Sequence, residues 1–205
     1  AVAGSWVNQA EALHAALTDA GVRVLRAGRR LAALPAIVAG LARGLPATVA
    51  RYSGGELRQA LRELLARESC DLVYCDHLQM TGMLAEVARS PLWLDEHNLE
   101  ARLWRRYAGE KGGLWRWQAD RVRAWEGRVL PRMAGVSVTS AADLALAREL
   151  APAGNYVVVP NAADVARWKT TARTPQREVL LTGSLDWPPN RDGILWFIAE
   201  VWPQA

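Results

Sequence analysis

The residue types best suited to chemistry lie together in Pro91–Asn98, read as P-L-W-L-D-E-H-N. The apolar run Leu92, Trp93 and Leu94 gives way at once to Asp95, Glu96, His97 and Asn98. Short apolar runs bounded by polar residues fit a buried strand of a parallel sheet. Ligands of open α/β sheets bind beyond the carboxyl ends of such strands. There His97 can donate a hydrogen bond to a bound hydroxyl or steady a developing charge. Asp95 and Glu96, adjacent on a strand, point to opposite faces. They are therefore not a carboxylate pair sharing one cavity, as glycoside hydrolysis needs. The bland alternative is a strand end whose Asn98 N-caps the following helix, with His97 structural.

Asp76-His77 repeats the acid–histidine pattern at the end of the preceding strand, D-L-V-Y over 71–74. Two such ends on neighbouring strands suggest a cleft along one sheet edge. A third stretch, T-G-S-L-D-W-P-P-N-R-D-G over 182–193, follows an expected strand and precedes a helix. A glycine at such a turn lets backbone N–H groups approach a phosphate. The stretch matches neither a Walker loop nor G-x-G-x-x-G, so a Pro-rich strand-to-helix turn is the favoured explanation of these residues alone. Between Arg102 and Arg132, nine Lys or Arg face three acids, interleaved with Trp104, Trp115, Trp117 and Trp125. That mixture suits an anionic membrane interface or a solvated basic face with Trp in the core. No RNA- or DNA-binding motif accompanies it, so nucleic acid is not expected as a partner.

The elements that must hold these residues alternate between strand and helix. Helices are expected over 6–20 (stopped by Gly21), 29–43 (broken at Pro35), 56–67, 80–88, 99–107, 114–130, 141–150 and 190–201. Strands are expected over 22–25, 71–74, 92–94, 134–138, 156–159 and 178–181. Leu57, Leu61, Leu64 and Leu65 draw the apolar stripe of the clearest helix, and Thr139-Ser140 reads as a helix cap. Such alternation predicts an α/β fold with a Rossmann-like, doubly wound parallel sheet. The periodicity vanishes from Ala162 to Gln176, which reads as a linker. The expected division is a first domain over 1–163, a linker over 164–177 and the start of a second Rossmann-like domain over 178–205.

Bulk composition narrows the partners. The chain has 205 residues, 51% of them apolar and 22% charged, as in ordinary soluble globular proteins. A net charge of +4 and a pI near 9.5 favour anionic partners without selecting one. The two cysteines, Cys70 and Cys75, stand in C-x4-C spacing with no nearby ligand cluster. They read as reduced thiols of a cytoplasmic protein, and no metal site is expected. No apolar run is long enough to span a membrane. The sequence begins without Met and stops just after a helix, so it is expected to be a fragment.

Several motifs in order carry a resemblance. L-D-E-H-N-L-E (94–100) with L-W-R-R (103–106), S-V-T-S-A-A-D (137–143) and V-V-V-P-N-A-A-D (157–164) resemble the N-terminal domain of family 4 glycosyltransferases of GT-B fold. L-T-G-S-L-D-W-P-P-N (181–190) with L-W-F (195–197) resembles the start of their donor domain. The similarity is strongest to sugar transferases of bacterial exopolysaccharide systems. It implies retaining transfer from a nucleotide sugar to a glycan or lipid-linked acceptor, with no cofactor and no metal required. Peripheral contact with the inner face of the plasma membrane is compatible with it. By this resemblance His97 is the catalytic histidine near the transferred sugar, and Gly183 lies near the diphosphate. Asp76, His77, Glu96, Asn98, Asn161, Ser184, Asn190 and Arg191 are the further expected substrate-binding residues.

The match has departures. Many family members carry an Arg directly after the donor-domain glycine and a Lys six residues later, where this chain has Ser184 and Asn190. Arg191 is a partial substitute. The Gly-rich acceptor loop and the acidic donor motif fall outside these residues, so the fragment alone is expected to be inactive. The rival readings are a GT-B-like nucleotide-sugar epimerase and a non-catalytic binding module at a membrane surface.

Overall fold

The structure is a computed structural model and describes residues 15, 18–21, 34–53, 55–87, 89–167, 179–186 and 188–204. Most of the helix expected over 6–20 and all of the strand over 22–25 lie outside the described residues. Gly21 does turn the chain, at φ 79° with its N–H on the Thr18 carbonyl. The chain divides into two compact units, Ala1–Ala162 and Ala163–Ala205.

In the first unit, α1 (Leu34–Ala42), α2 (Ala47–Tyr52) and α3 (Glu56–Arg67) precede the sheet. Four parallel strands follow in sequential order: β1 (Val73–Asp76), β2 (Leu92–Glu96), β3 (Gly135–Val138) and β4 (Tyr156–Val158). Between β1 and β2 run a 3-10 turn (Leu78–Met80) and α4 (Thr81–Val87). Between β2 and β3 stands the hairpin of α5 (Glu100–Lys111) and α6 (Gly113–Val129), and α7 (Ala141–Leu150) leads to β4. Parallel crossovers are right-handed, so sequential strand order sends these crossover helices to one face of the sheet.

The pleat then sorts the side chains. Cys75, Leu94 and Val136 lie opposite one another in register, and one step on Glu96 pairs with Val138. This helix-facing set is buried with Val122 and Leu130 in the core. Burying each such aliphatic side chain contributes about 2 kcal/mol. The other face carries the rows Tyr74–Trp93–Gly135 and Asp76–Asp95–Ser137–Val157. Gly135 has no side chain because the Trp93 ring occupies the space a Cβ would take.

Two strands of this sheet differ from expectation by more than one residue. β1 starts two residues late because the ladder sets Cys75, the buried residue, opposite Leu94 and leaves Leu72 exposed. β2 runs on through Asp95 and Glu96, since Glu96 still pairs with Val138. The polar residues thus lie within the strands as well as after them. By contrast α3 and α7 keep the expected bounds, and Ser140 caps α7 by accepting from the Asp143 N–H at 3.1 Å.

Helix α6 serves its neighbours' ends. Gln118 accepts from the Ala47 N–H at 3.1 Å at the start of α2, whose N-cap Pro46 offers no side-chain acceptor. Arg121 donates to the Leu41 carbonyl at the end of α1, and to that of Leu45 at 2.9 Å. Glu126 accepts from the Ala101 N–H at 3.0 Å at the start of α5. Helix termini leave such groups without intrahelical partners.

In the second unit, α8 (Pro188–Trp196) continues into a π-helical turn (Phe197–Val201) and a 3-10 turn (Trp202–Gln204). Residues 179–181 form no strand, contrary to expectation. Among the described residues of this unit there is no second strand to pair with, and Leu180 is exposed.

Candidate functional site at the carboxyl edge

β1 and β2 end level, with Asp76 and Asp95 paired across them and directed to the same face. Just past β1, His77 adopts φ 71°, the only positive value for a non-glycine among the described residues. Its N–H donates to the Asp95 carbonyl at 3.1 Å. This turn lays the His77 ring against that of His97, centroids 4.2 Å apart and planes 15° from parallel. Oδ1 of Asp76 lies 2.8 Å from both His77 Nδ1 and His97 Nε2. Asp95 Oδ2 approaches His97 Nε2 to 3.7 Å.

A second layer fixes these groups. Trp93 Nε1 donates to Ser137 Oγ at 3.2 Å, and the Ser137 hydroxyl donates to Asp95 Oδ1 at 2.6 Å. Thr139 donates to the His97 carbonyl at 3.0 Å. Burial pushes the Asp95 carboxyl up, but the hydrogen bonds from Ser137 and Tyr74 and the charges of His97 and His77 outweigh it. The net result is below the ordinary carboxylate value. Burial, then the Asp95 acceptor, raises the Tyr74 phenol.

Two cavities meet at this edge. One of about 420 Å³ is lined by His97, Thr139, Tyr74, Trp93 and Asn161. The other, about 770 Å³, has Asp76 and His77 on its wall beside Leu57, Leu61, Met83 and Leu84. The structure thus brings Asp76, His77 and His97 into contact, and Asn161 shares a cavity with His97. Asp76, His77 and His97 also present ligand-type atoms all within 4.8 Å of one another.

One expected site residue is turned away from the edge, and another does not cap the helix as expected. Glu96 is 1% exposed on the helix-facing side, because the pleat turns it away from Asp95. Burial, and then the charge of Glu126, raise its carboxyl well above the usual value. Glu126, also buried, is pushed up to about 8 by burial. Asn98 is exposed and does not cap α5: Leu99 is the N-cap residue without a side-chain bond, and Glu126 supplies the acceptor instead.

In the second unit, Gly183 has φ 153° and the Asn190 amide fills the space where a Cβ would stand. Asn190 Nδ2 donates to the Ser184 carbonyl at 3.1 Å, and Arg191 pairs with Asp192 at 3.2 Å. Sequence reading missed Ser137, Thr139 and Tyr74 as partners of the edge. The spacing of two between Ser137 and Thr139 on β3 and its continuation, with Ser137 in register with Asp95, is the signal that points to that pair.

The basic Trp-rich segment divides its roles. Trp104 and Trp125 pack against the core, and Trp125 Nε1 donates to Thr81 at 2.9 Å. Arg121 and Arg128 stack on Trp117 and Trp125 and reach backbone carbonyls. Leu114 and Trp117 remain exposed near the hairpin bend at Gly112 (φ 88°). Both cysteines are free, Cys75 buried with its thiol pushed up to about 12, first by burial. Among the described residues no helix is long and apolar enough to cross a membrane.

A parallel α/β sheet with a polar, histidine-bearing carboxyl edge is the architecture of Rossmann-like ligand-binding domains. Residues 5–162 match the glycosyl transferase 4-like domain family, and the chain belongs to that family. Its general function is glycosyl transfer between a sugar donor and an acceptor. No curated protein and no solved structure matches the chain significantly.

Proposed function

We propose that this chain is the acceptor-side part of a retaining glycosyltransferase that moves a sugar from a nucleotide sugar to a glycan or lipid-linked acceptor. The bacterial exopolysaccharide setting is part of this reading. The observation that carries it is His97 at the carboxyl edge, facing a cavity it shares with Asn161. In transfer, the bond from the anomeric carbon to the diphosphate breaks and one to the acceptor oxygen forms, with loss of the acceptor's proton. His97, steadied by Asp76, Asp95 and Thr139, donates a hydrogen bond to the sugar as charge develops. Asp76 and His77 flank the acceptor, Asn161 contacts the sugar, and Gly183 stands near the diphosphate. The transfer step itself is read as metal-independent. The protein works in the cytoplasm, at the inner membrane face, with Arg105, Arg106 and Arg116 meeting anionic lipid.

The test is His97→Ala in the protein carrying this chain, assayed against a panel of nucleotide sugars. A fall in turnover of at least about 100-fold with an unchanged fold is expected. Unchanged turnover returns His97 to a structural role. A non-catalytic binding module is the second reading. It draws on Asn190 and Arg191, whose side chains are engaged within their own turn. Binding of nucleotide sugar without any turnover would favour it.

A further inference from the structure

We infer that Asp76, His77 and His97 form a binding site for a late first-row divalent cation of the zinc class. The donors are Asp76 Oδ1, His77 Nδ1 and His97 Nε2, all within 4.8 Å of one another. They come from the ends of two adjacent strands held level by backbone pairing, so their spacing is set by the sheet. Two imidazoles and one carboxylate, leaving a fourth position for water or substrate, are the donor set of open zinc sites. All three side chains are about half exposed or more, which gives an ion direct access.

The geometry lies close to what such an ion requires. Tetrahedral bonds of about 2.0–2.1 Å hold neighbouring donor atoms about 3.3 Å apart. The two oxygen–nitrogen separations here are 2.8 Å, so each opens by about half an ångström on binding. The rings, now 15° from parallel, tilt out of their stack so that both nitrogens converge. Any protons that His77 Nδ1 and His97 Nε2 share with Asp76 are released to solvent. Thr139 holds the His97 backbone through its carbonyl, and the Asp95 carboxylate, 3.7 Å from the ligating Nε2, adds negative charge beside the ion. Imidazole donors select zinc, cobalt and nickel over magnesium and calcium, which prefer all-oxygen shells.

One consequence rests on the transfer reading above: an ion on His97 Nε2 occupies the ring assigned to the sugar, so zinc lowers transfer. The binding claim stands apart from it and is tested without substrate. Co2+ is titrated into the 205-residue chain while its visible absorption is followed, and Zn2+ is then added in competition. One equivalent of tetrahedral Co2+, displaced by Zn2+ and indifferent to Mg2+, is expected. Asp76→Asn and His77→Gln each weaken binding at least about tenfold, while Cys70→Ser, outside the cluster, leaves it unchanged. Absence of the tetrahedral spectrum, equal affinity in both cluster variants, or loss of binding in Cys70→Ser each overturns the proposal.

Discussion

His77 and His97 lie face to face, ring centroids 4.2 Å apart, and both reach the same oxygen of Asp76. The arrangement depends on β1 and β2 ending level, and on a backbone at His77 that L-residues rarely adopt. A side chain in the left-handed region costs about 1–2 kcal/mol relative to glycine.

His77→Gly should therefore be more stable than His77→Ala by about 1 kcal/mol. Urea midpoints of the two variants measure the difference. Equal midpoints would mean that the φ of 71° carries no cost.

Ser137→Ala removes the 2.6 Å hydrogen bond to Asp95. The Asp95 carboxyl should rise, and neutral-pH stability should drop by about 1–2 kcal/mol. A depressed carboxylate gives stability that is present above its unfolded value and lost as pH falls through the folded one. The variant's deficit should accordingly shrink in acid, as NMR titration of Asp95 and melting at several pH values would show.

Glu96 and Glu126 act with the opposite sign. Their folded values are raised above the ordinary 4.5, Glu126 to about 8. Between those limits the folded state holds more protons than the unfolded one, so stability falls as pH rises. The melting temperature should decline from about pH 5 to 8, by a few degrees. Glu126→Gln keeps an acceptor for Ala101 and should flatten that slope; an unaltered slope would exclude Glu126 as its source.

Gly135→Ala places a methyl group where the Trp93 ring lies. Overpacking of this kind costs about 1–3 kcal/mol. Displacement of the indole also breaks its bond to Ser137, so tryptophan fluorescence should change along with stability. A native spectrum and melting curve would show that the ring has room to move.

Much of the fold was legible because it depends on short-range patterns. Leu57, Leu61 and Leu64 draw α3, and Ser140 with Asp143 fixes the start of α7. The edge was half legible: alternation separated Asp95 from Glu96, and parallel acid–histidine ends marked a cleft. What failed depends on partners distant in sequence. Cross-strand register moved β1 by two residues. Glu126, 25 residues from Ala101, took the capping role that adjacency had given to Asn98. The strand over 178–181 had the right composition, yet among the described residues it has no neighbour to supply hydrogen bonds.

Gln118, Arg121 and Glu126, spaced along one helix, complete the ends of α2, α1 and α5. α2, six residues long, is far shorter than the about 12–15 that isolated helices need. It and the first turn of α5 acquire their polar partners only once α6 has docked. Folding of this region is thus cooperative across long sequence separations. The amides of Ala47 and Ala101 should exchange with solvent in step with the opening of α6, as parts of one unfolding unit.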